Sequence, residues 1–278
     1  FNTMTKLGLN IDDIDSLTGP VIGRPKSATF RTADVVGIDT LVKVAEGVAA
    51  NCPDDEAKAI FNIPDWLQKM VANKWLGDKT KQGFFKKIKT EAGSEILTLD
   101  LNDFEYKPRV KPKFASIDAA KQIDDLKTRI KTLIAGKDKA GEFYREFHYR
   151  LFSYVSHRIP EISDNIYQVD DAMKAGFGWE IGSFETWDVL GVEKTTEAIK
   201  AAGLSVAGWV DEFIAAGNTH FYKIENGKKL CYSPISKSYE ELPGGESFII
   251  LSDLKEKTVW KNAAVKTYDI GDGVLGMQ

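Results

Sequence analysis

The chain has 278 residues, with 37 Lys+Arg against 41 Asp+Glu, a formal net charge of −4 and 43% hydrophobic residues. That balance excludes disordered, collagenous and low-complexity classes, and the length fits two domains of roughly 100–150 residues. No apolar run reaches the ~18–20 residues of a membrane span, no basic-then-apolar leader is visible, and a mildly acidic, mixed surface carries no footprint for nucleic acid.

Only Cys52 and Cys231 are present. This usage points to a reduced, cytoplasmic setting rather than a disulfide scaffold. His148, His157 and His220 are too scattered for a metal motif, so no metal site is expected.

Taken in chain order, Phe1 to Gly8 reads as the last turns of a helix closed by glycine. Ile38, Leu41, Val42, Ala45 and Val48 recur at helical spacing, with Asp34 placed to cap a nearby helix start. Pro64-Asp65 opens a further helix carrying Leu67, Met70, Val71 and Trp75. The best strand of this half is Ile96 to Leu101. Two prolines keep Lys107 to Lys113 out of a helix, and the stretch reads as a linker.

One helix is expected from Ser116 to Gly136, followed by an aromatic helix with Phe143, Phe147, Leu151 and Tyr154 on one stripe, ending near Pro160. Further helices cover Thr195 to Ala202 and Val206 to Ala216. The period then changes to two. His220 to Tyr232 forms a hairpin around an Asn226-Gly227 turn, with more strands at Phe248 to Leu251 and Ala264 to Tyr268. Val274 to Gln278 resembles an unfinished strand, so both ends read as cut from something longer. The expected fold is mainly α: two tandem helical repeats with short β tails, divided into residues 1–113, 114–217 and a β-rich 218–278.

The repeat is the most informative feature. Phe30-Arg31-Thr32-Ala33-Asp34-Val35-Val36-Gly37 returns 154 residues later as Phe184-Glu185-Thr186-Trp187-Asp188-Val189-Leu190-Gly191, and upstream Ile14-Asp15 answers Val169-Asp170. Phe30 and Phe184 should fill equivalent core pockets. Asp34 and Asp188 should occupy equivalent helix starts, accepting free amides.

Gly19-Pro20-Val21-Ile22-Gly23-Arg24-Pro25-Lys26-Ser27 looks like a phosphate loop but fails as one. Its glycine spacing is short, Arg24-Pro25 separates Gly23 from Lys26, and Pro25 lacks an amide that a phosphate cradle would use. Two readings stay open. One is a basic loop that approaches a phosphorylated ligand. The other is a rigid turn whose cations pair with Asp12, Asp13 or Asp15. The counterpart loop, Gly178 to Gly182, carries Glu180 and no cation.

Leu17 to Gly37, its echo at Asp171 to Asp188, and Gly77-Asp78-Lys79-Thr80-Lys81-Gln82-Gly83-Phe84-Phe85 together resemble the C-terminal helical domain of 3-hydroxyacyl-CoA dehydrogenases. Tyr268 to Leu275 is similar to the first strands of an enoyl-CoA hydratase. The resemblance implies the duplicated helical portion of a bifunctional dehydrogenase/hydratase of fatty-acid β-oxidation, with acyl-CoA as substrate and NAD as cofactor. It also implies that the Rossmann domain, the catalytic His-Glu pair and the hydratase residues lie outside this chain. The chain alone would then bind no NAD, turn over no substrate and hold no catalytic residue. Arg24, Lys26, Ser27 and Phe30 are the positions that would meet acyl-CoA. The competing class is a non-catalytic helical scaffold.

Overall fold

The computed structural model describes residues 1–91, 93–225, 228–244, 249, 251, 254, 257–262 and 264–278. It divides into two units: Phe1–His148 with Phe177–Glu180, and Tyr149–Gly176 with Ile181–Gln278. The protein is mainly α-helical with short β parts.

The first unit begins with α1 (Asn2–Leu7), stopped by Gly8 at φ 60°, and α2 (Ile11–Leu17). A reciprocal capping box opens α2: Asn10 Oδ1 accepts from the Asp13 amide and Asp13 Oδ2 from the Asn10 amide, each at 2.9 Å. Then come α3 (Phe30–Val36), α4 (Ile38–Asn51) and α5 (Asp65–Ala72). An antiparallel meander follows, with β1 (Phe85–Thr90), β2 (Gly93–Leu99) and β3 (Tyr106–Pro108) in that order. The helices α6 (Ala115–Ala120), α7 (Leu126–Ala135) and the first half of α8 (Lys139–His157) complete the unit. Leu17, Phe30, Ile38, Met70, Phe84, Leu133 and Tyr144 are fully enclosed in its core. Each such aliphatic or aromatic side chain contributes about 1.5–3 kcal/mol by leaving water.

The second unit takes the rest of α8, then α9 (Ile166–Phe177), α10 (Ser183–Leu190), α11 (Val192–Ala201) and α12 (Gly208–Ala215). Its meander is β4 (Tyr222–Glu225), β5 (Lys228–Ser233) and β6 (Ser238–Glu241). A separate three-stranded sheet follows, of β7 (Thr258–Lys261), β8 (Lys266–Asp269) and β9 (Leu275–Met277). Its core gathers Phe152, Phe184, Trp187, Val210, Phe213 and Phe221. The Asn226-Gly227 turn, and Phe248 and Ile250 of the expected strand, lie outside the described residues.

The two units repeat one device. Asp15 accepts the amides of Thr29 (3.1 Å), Phe30 (2.6 Å) and Arg31 (3.1 Å), and so holds the first turn of α3. Asp170 does the same for α10, accepting from Phe184 (2.8 Å) and Glu185 (2.9 Å). Asp34 reaches from α3 to the amides of Phe84 (2.8 Å) and Phe85 (2.9 Å), where β1 begins. Asp188 reaches from α10 to those of Phe221 (2.7 Å) and Tyr222 (2.9 Å), where β4 begins. Phe30 meets Phe84 edge-on at 4.6 Å, and Phe184 meets Phe221 edge-on at 5.4 Å. Gly37 and Gly191 both break the chain at positive φ, 103° and 89°. The equivalence of Phe30 with Phe184 follows directly.

The aspartates need correction. Asp34 and Asp188 do not cap a helix start; they lie inside α3 and α10 and clasp a strand. The capping is done by Asp15 and Asp170, 14 or more residues upstream. A second correction concerns Ser116 to Gly136, which is two helices. Asp125 accepts the Thr128 amide at 2.7 Å and starts α7 afresh, so the chain turns between α6 and α7. Of Lys107 to Lys113, the first residues are tied down as β3, where Lys107 faces Thr98 and Pro108 faces Leu97.

Candidate functional site

The basic loop between α2 and α3 is built from the inside outward. Pro20–Ile22 form one 3₁₀ turn, closed by Gly23 at φ 69°, a left-handed conformation that favours glycine. A Cβ there would also press to 2.6 Å from Leu126 Cδ2 of α7. Arg129 Nε of α7 donates to Val21 O at 2.8 Å, and the Glu180 amide donates to Gly23 O at 2.8 Å. Tyr144 donates its hydroxyl to Leu17 O at 2.7 Å, fixing the end of α2 where the loop departs.

Arg24 turns inward from this frame. Its guanidinium carbon lies 3.7 Å from the Trp179 ring centroid and 4.7 Å from that of Phe147. Such stacking is worth about 0.5–2 kcal/mol. Among the described residues no carboxylate lies within 4.0 Å of it, and burial pushes its pKa down to about 9. Lys26 is exposed and has no carboxylate partner among the described residues. Ser27 Oγ accepts from Thr32 Oγ1 at 2.8 Å. Phe30 is 0% exposed, in the core against Phe1 and Phe84.

Pairing of these cations with local acids is not what the structure shows. Asp12 is engaged by Arg109 Nε at 2.8 Å, Asp13 by the Asn10 amide and Asp15 by the three α3 amides. The loop brings Arg24, Lys26 and Ser27 onto one short segment, whereas Phe30 belongs to the packing beneath it. Trp179, the platform for Arg24, was not singled out by sequence reasoning. Its only signal was its place in the counterpart loop.

His148 on α8 is buried. Its Nδ1 donates to Tyr144 O at 2.7 Å, and burial, reinforced by the Arg24 charge, pushes its pKa down to about 3. A histidine depressed in this way stays neutral in the fold while the unfolded chain protonates below about 6.5. Its contribution to stability is therefore present above about 6.5 and lost as pH falls toward 3. His148→Gln keeps a donor for Tyr144 O and should flatten this part of the acid limb. Urea midpoints of the two proteins between pH 7 and pH 4 check it; parallel slopes would show that His148 carries no such linkage. Cys231 is buried and its thiol is pushed up to about 12 by burial, which is the wrong direction for a nucleophile. Among the described residues no group of three or more potential metal ligands occurs and no helix is long and apolar enough to cross a membrane.

Residues 2–87, which end two residues beyond the clasped Phe85, match the family model for the 3-hydroxyacyl-CoA dehydrogenase C-terminal domain. Over this stretch the chain is similar to that domain. The stretch contains α1 to α5, the basic loop, Asp15, Asp34 and the start of β1. A probable 3-hydroxyacyl-CoA dehydrogenase of Bacillus subtilis is 39% identical over 273 residues, covering 98% of this chain and 34% of that protein. A probable 3-hydroxyacyl-CoA dehydrogenase of Deinococcus radiodurans is 47% identical over 88 residues, 32% of this chain and 25% of the other. A putative fatty acid oxidation complex trifunctional enzyme of Rickettsia felis is 25% identical over 218 residues, 77% of this chain and 28% of that protein. The chain spans about a third or less of the length of these relatives. Beyond residue 87, the second unit repeats the clasp of the first, as Asp170 and Asp188.

Proposed function

We propose that the chain is the helical, substrate-side portion of an NAD-dependent 3-hydroxyacyl-CoA dehydrogenase of fatty-acid β-oxidation, working with an NAD-binding domain and an enoyl-CoA hydratase domain of the same enzyme. The observation that carries this reading is the match to the dehydrogenase C-terminal domain at residues 2–87, with similarity to the Bacillus subtilis protein along 98% of the chain. In the reaction of such an enzyme, NAD held by the NAD-binding domain would supply the hydride acceptor for oxidation of the 3-hydroxyl. The described residues form no Rossmann-type cradle for NAD. Their three sheets are antiparallel meanders, whereas that cradle is a parallel strand–helix unit that offers a helix N-terminus to the pyrophosphate. No step through NAD is therefore assigned to this chain.

Its own residues would wall the acyl-CoA cleft. Lys26 and Ser27 supply charge and a hydroxyl at the tip of the basic loop; Arg24, clamped on Trp179, and Phe30, in the core, hold that tip in place. In the enzyme that contains this chain with its NAD-binding domain, Lys26→Ala should raise the KM for 3-hydroxyacyl-CoA roughly 3–10-fold and leave the KM for NAD unchanged. Arg24→Ala should lower the melting temperature instead. Unaltered acyl-CoA kinetics in Lys26→Ala would remove the loop from the substrate path.

A further inference from the structure

The first unit has a second basic feature, on a sheet of which β2, β3 and the second half of β1 lie beyond the matched residues 2–87. Strand alternation puts Phe85, Lys87 and Lys89 of β1 on one face, with Thr98, Ile96 and Ser94 of β2 directly opposite them. This face floors a cleft of about 1230 Å³. Lys26, Lys81 and Lys111 stand on its rim, with Arg31 and Arg109. The two arginines are neutralised: Arg31 by Asp78 at 2.5 Å, Arg109 by Asp12 at 2.8 Å. The five lysines Lys26, Lys81, Lys87, Lys89 and Lys111 have no carboxylate partner among the described residues. Asp15 is the third acid of the lining, and its oxygens are spent on the α3 amides. The cleft therefore carries a concentrated positive charge in a protein whose net charge is −4.

The equivalent hairpin of the second unit gives an internal control. There every lysine of the first two strands is paired: Lys223 with Glu225 at 2.7 Å, Lys228 with Glu241 at 2.6 Å, Lys229 with Glu185 at 3.4 Å. The same architecture has ion-paired hairpin lysines in one unit and, in the other, lysines without a carboxylate partner among the described residues. Self-repulsion among five lysines has no structural return, so the charge arrangement calls for an anion. The cleft also has an apolar patch at the half-exposed Ile96, beside the buried Phe85 whose ring carries the Arg109 guanidinium carbon 4.9 Å from its centroid, and this patch suits a flat ring. Phosphate charge beside a flat apolar ring describes a nucleotide.

We propose that the β1–β2 face of the first unit binds a nucleotide bearing two or more phosphate groups, with Lys87 and Lys89 on the phosphates and the base over Ile96. The source of that nucleotide is either a free nucleoside polyphosphate or the 3′-phosphorylated ADP end of a coenzyme A thioester; only the second rests on the dehydrogenase reading. The 278-residue chain should be titrated calorimetrically with ATP, 3′,5′-ADP and inorganic tripolyphosphate at low and moderate salt. Saturable nucleotide binding that weakens with salt, and that weakens about tenfold further in Lys87→Gln/Lys89→Gln, supports the site. Lys228→Gln/Lys229→Gln, at the ion-paired lysines of β5, should bind as the parent chain does. Tighter binding of 3′,5′-ADP assigns the coenzyme A end, and tighter binding of ATP assigns a free nucleotide. The site is overturned if neither nucleotide binds, if tripolyphosphate binds as well as both, or if the Lys87/Lys89 variant is unaffected. A failure here leaves the dehydrogenase reading intact, because that is tested by turnover of 3-hydroxyacyl-CoA.

Discussion

Asp34→Ala should destabilise the first unit by about 2–4 kcal/mol, and Asp188→Ala should do the same to the second. Each carboxylate accepts two backbone amides at 2.7–2.9 Å where a strand begins, and Asp34 is 1% exposed. Removing it leaves two buried donors without an acceptor, at about 1–3 kcal/mol each, offset in part by relief of the carboxylate's own desolvation. That desolvation is visible in the titration: burial pushes Asp34 up to about 6 and Asp188 up to about 7, against the pull of their amide donors.

The sign of the pH dependence follows. Between about 3.9 and these values the folded protein holds protons that the unfolded chain has released, so the contribution of these groups falls as pH rises through 6 to 7. Asp34→Asn and Asp188→Asn should be less costly than the alanines and should lose that slope. Amide exchange at Phe84, Phe85, Phe221 and Tyr222 reads each clasp separately. Unchanged protection in the alanine variants would mean that the clasps are incidental.

The second large effect is steric. Gly83→Ala should cost roughly 3 kcal/mol or more, because a Cβ there collides with Asp34 Oδ1 and stands 2.6 Å from Gly77 Cα. Gly77 is constrained too: its φ is 93°, and a Cβ would run into the Asp34 backbone, with Asp34 Cα 2.7 Å away. The two glycines let the loop before β1 lie directly on α3, which is what brings the Phe84 and Phe85 amides within reach of Asp34. Gly47 in α4 is the control. Nothing lies within 4 Å of its added Cβ, so Gly47→Ala should stabilise by about 0.5–1 kcal/mol. Denaturant midpoints of the three variants decide it; equal stabilities would separate the loop from the clasp.

Much of this was legible in the sequence, and for a physical reason. The repeat was found through Phe30 and Phe184, Asp34 and Asp188, and Asp15 and Asp170, and these are the residues whose packing and hydrogen bonds recur in both units. What the sequence could not supply was the partner. A short polar residue just before a helical run reads as a cap, because capping is local; Asp34 instead serves amides 50 residues ahead, a contact that no spacing rule encodes. The break between α6 and α7 was hidden because Ile117, Ile123, Ile130 and Leu133 keep a roughly helical period across it, while the decisive signal was one capping aspartate, Asp125. Arg24 was legible as a cation but not as a stacked one, since Trp179 lies more than 150 residues away in sequence. The uneven neutralisation of the two hairpins needed cross-strand partners such as Lys228 and Glu241, which only the fold reveals.

The central claim is that this chain supplies the acyl-CoA side, and not the NAD side, of a 3-hydroxyacyl-CoA dehydrogenase. NADH formation from 3-hydroxybutyryl-CoA and NAD measures it most directly, with the chain alone and with the chain joined to its NAD-binding domain. The account predicts no NADH from the chain alone and NAD-dependent turnover from the joined enzyme. NADH produced by the chain alone, or a joined enzyme that binds NAD yet leaves 3-hydroxybutyryl-CoA untouched, would contradict it.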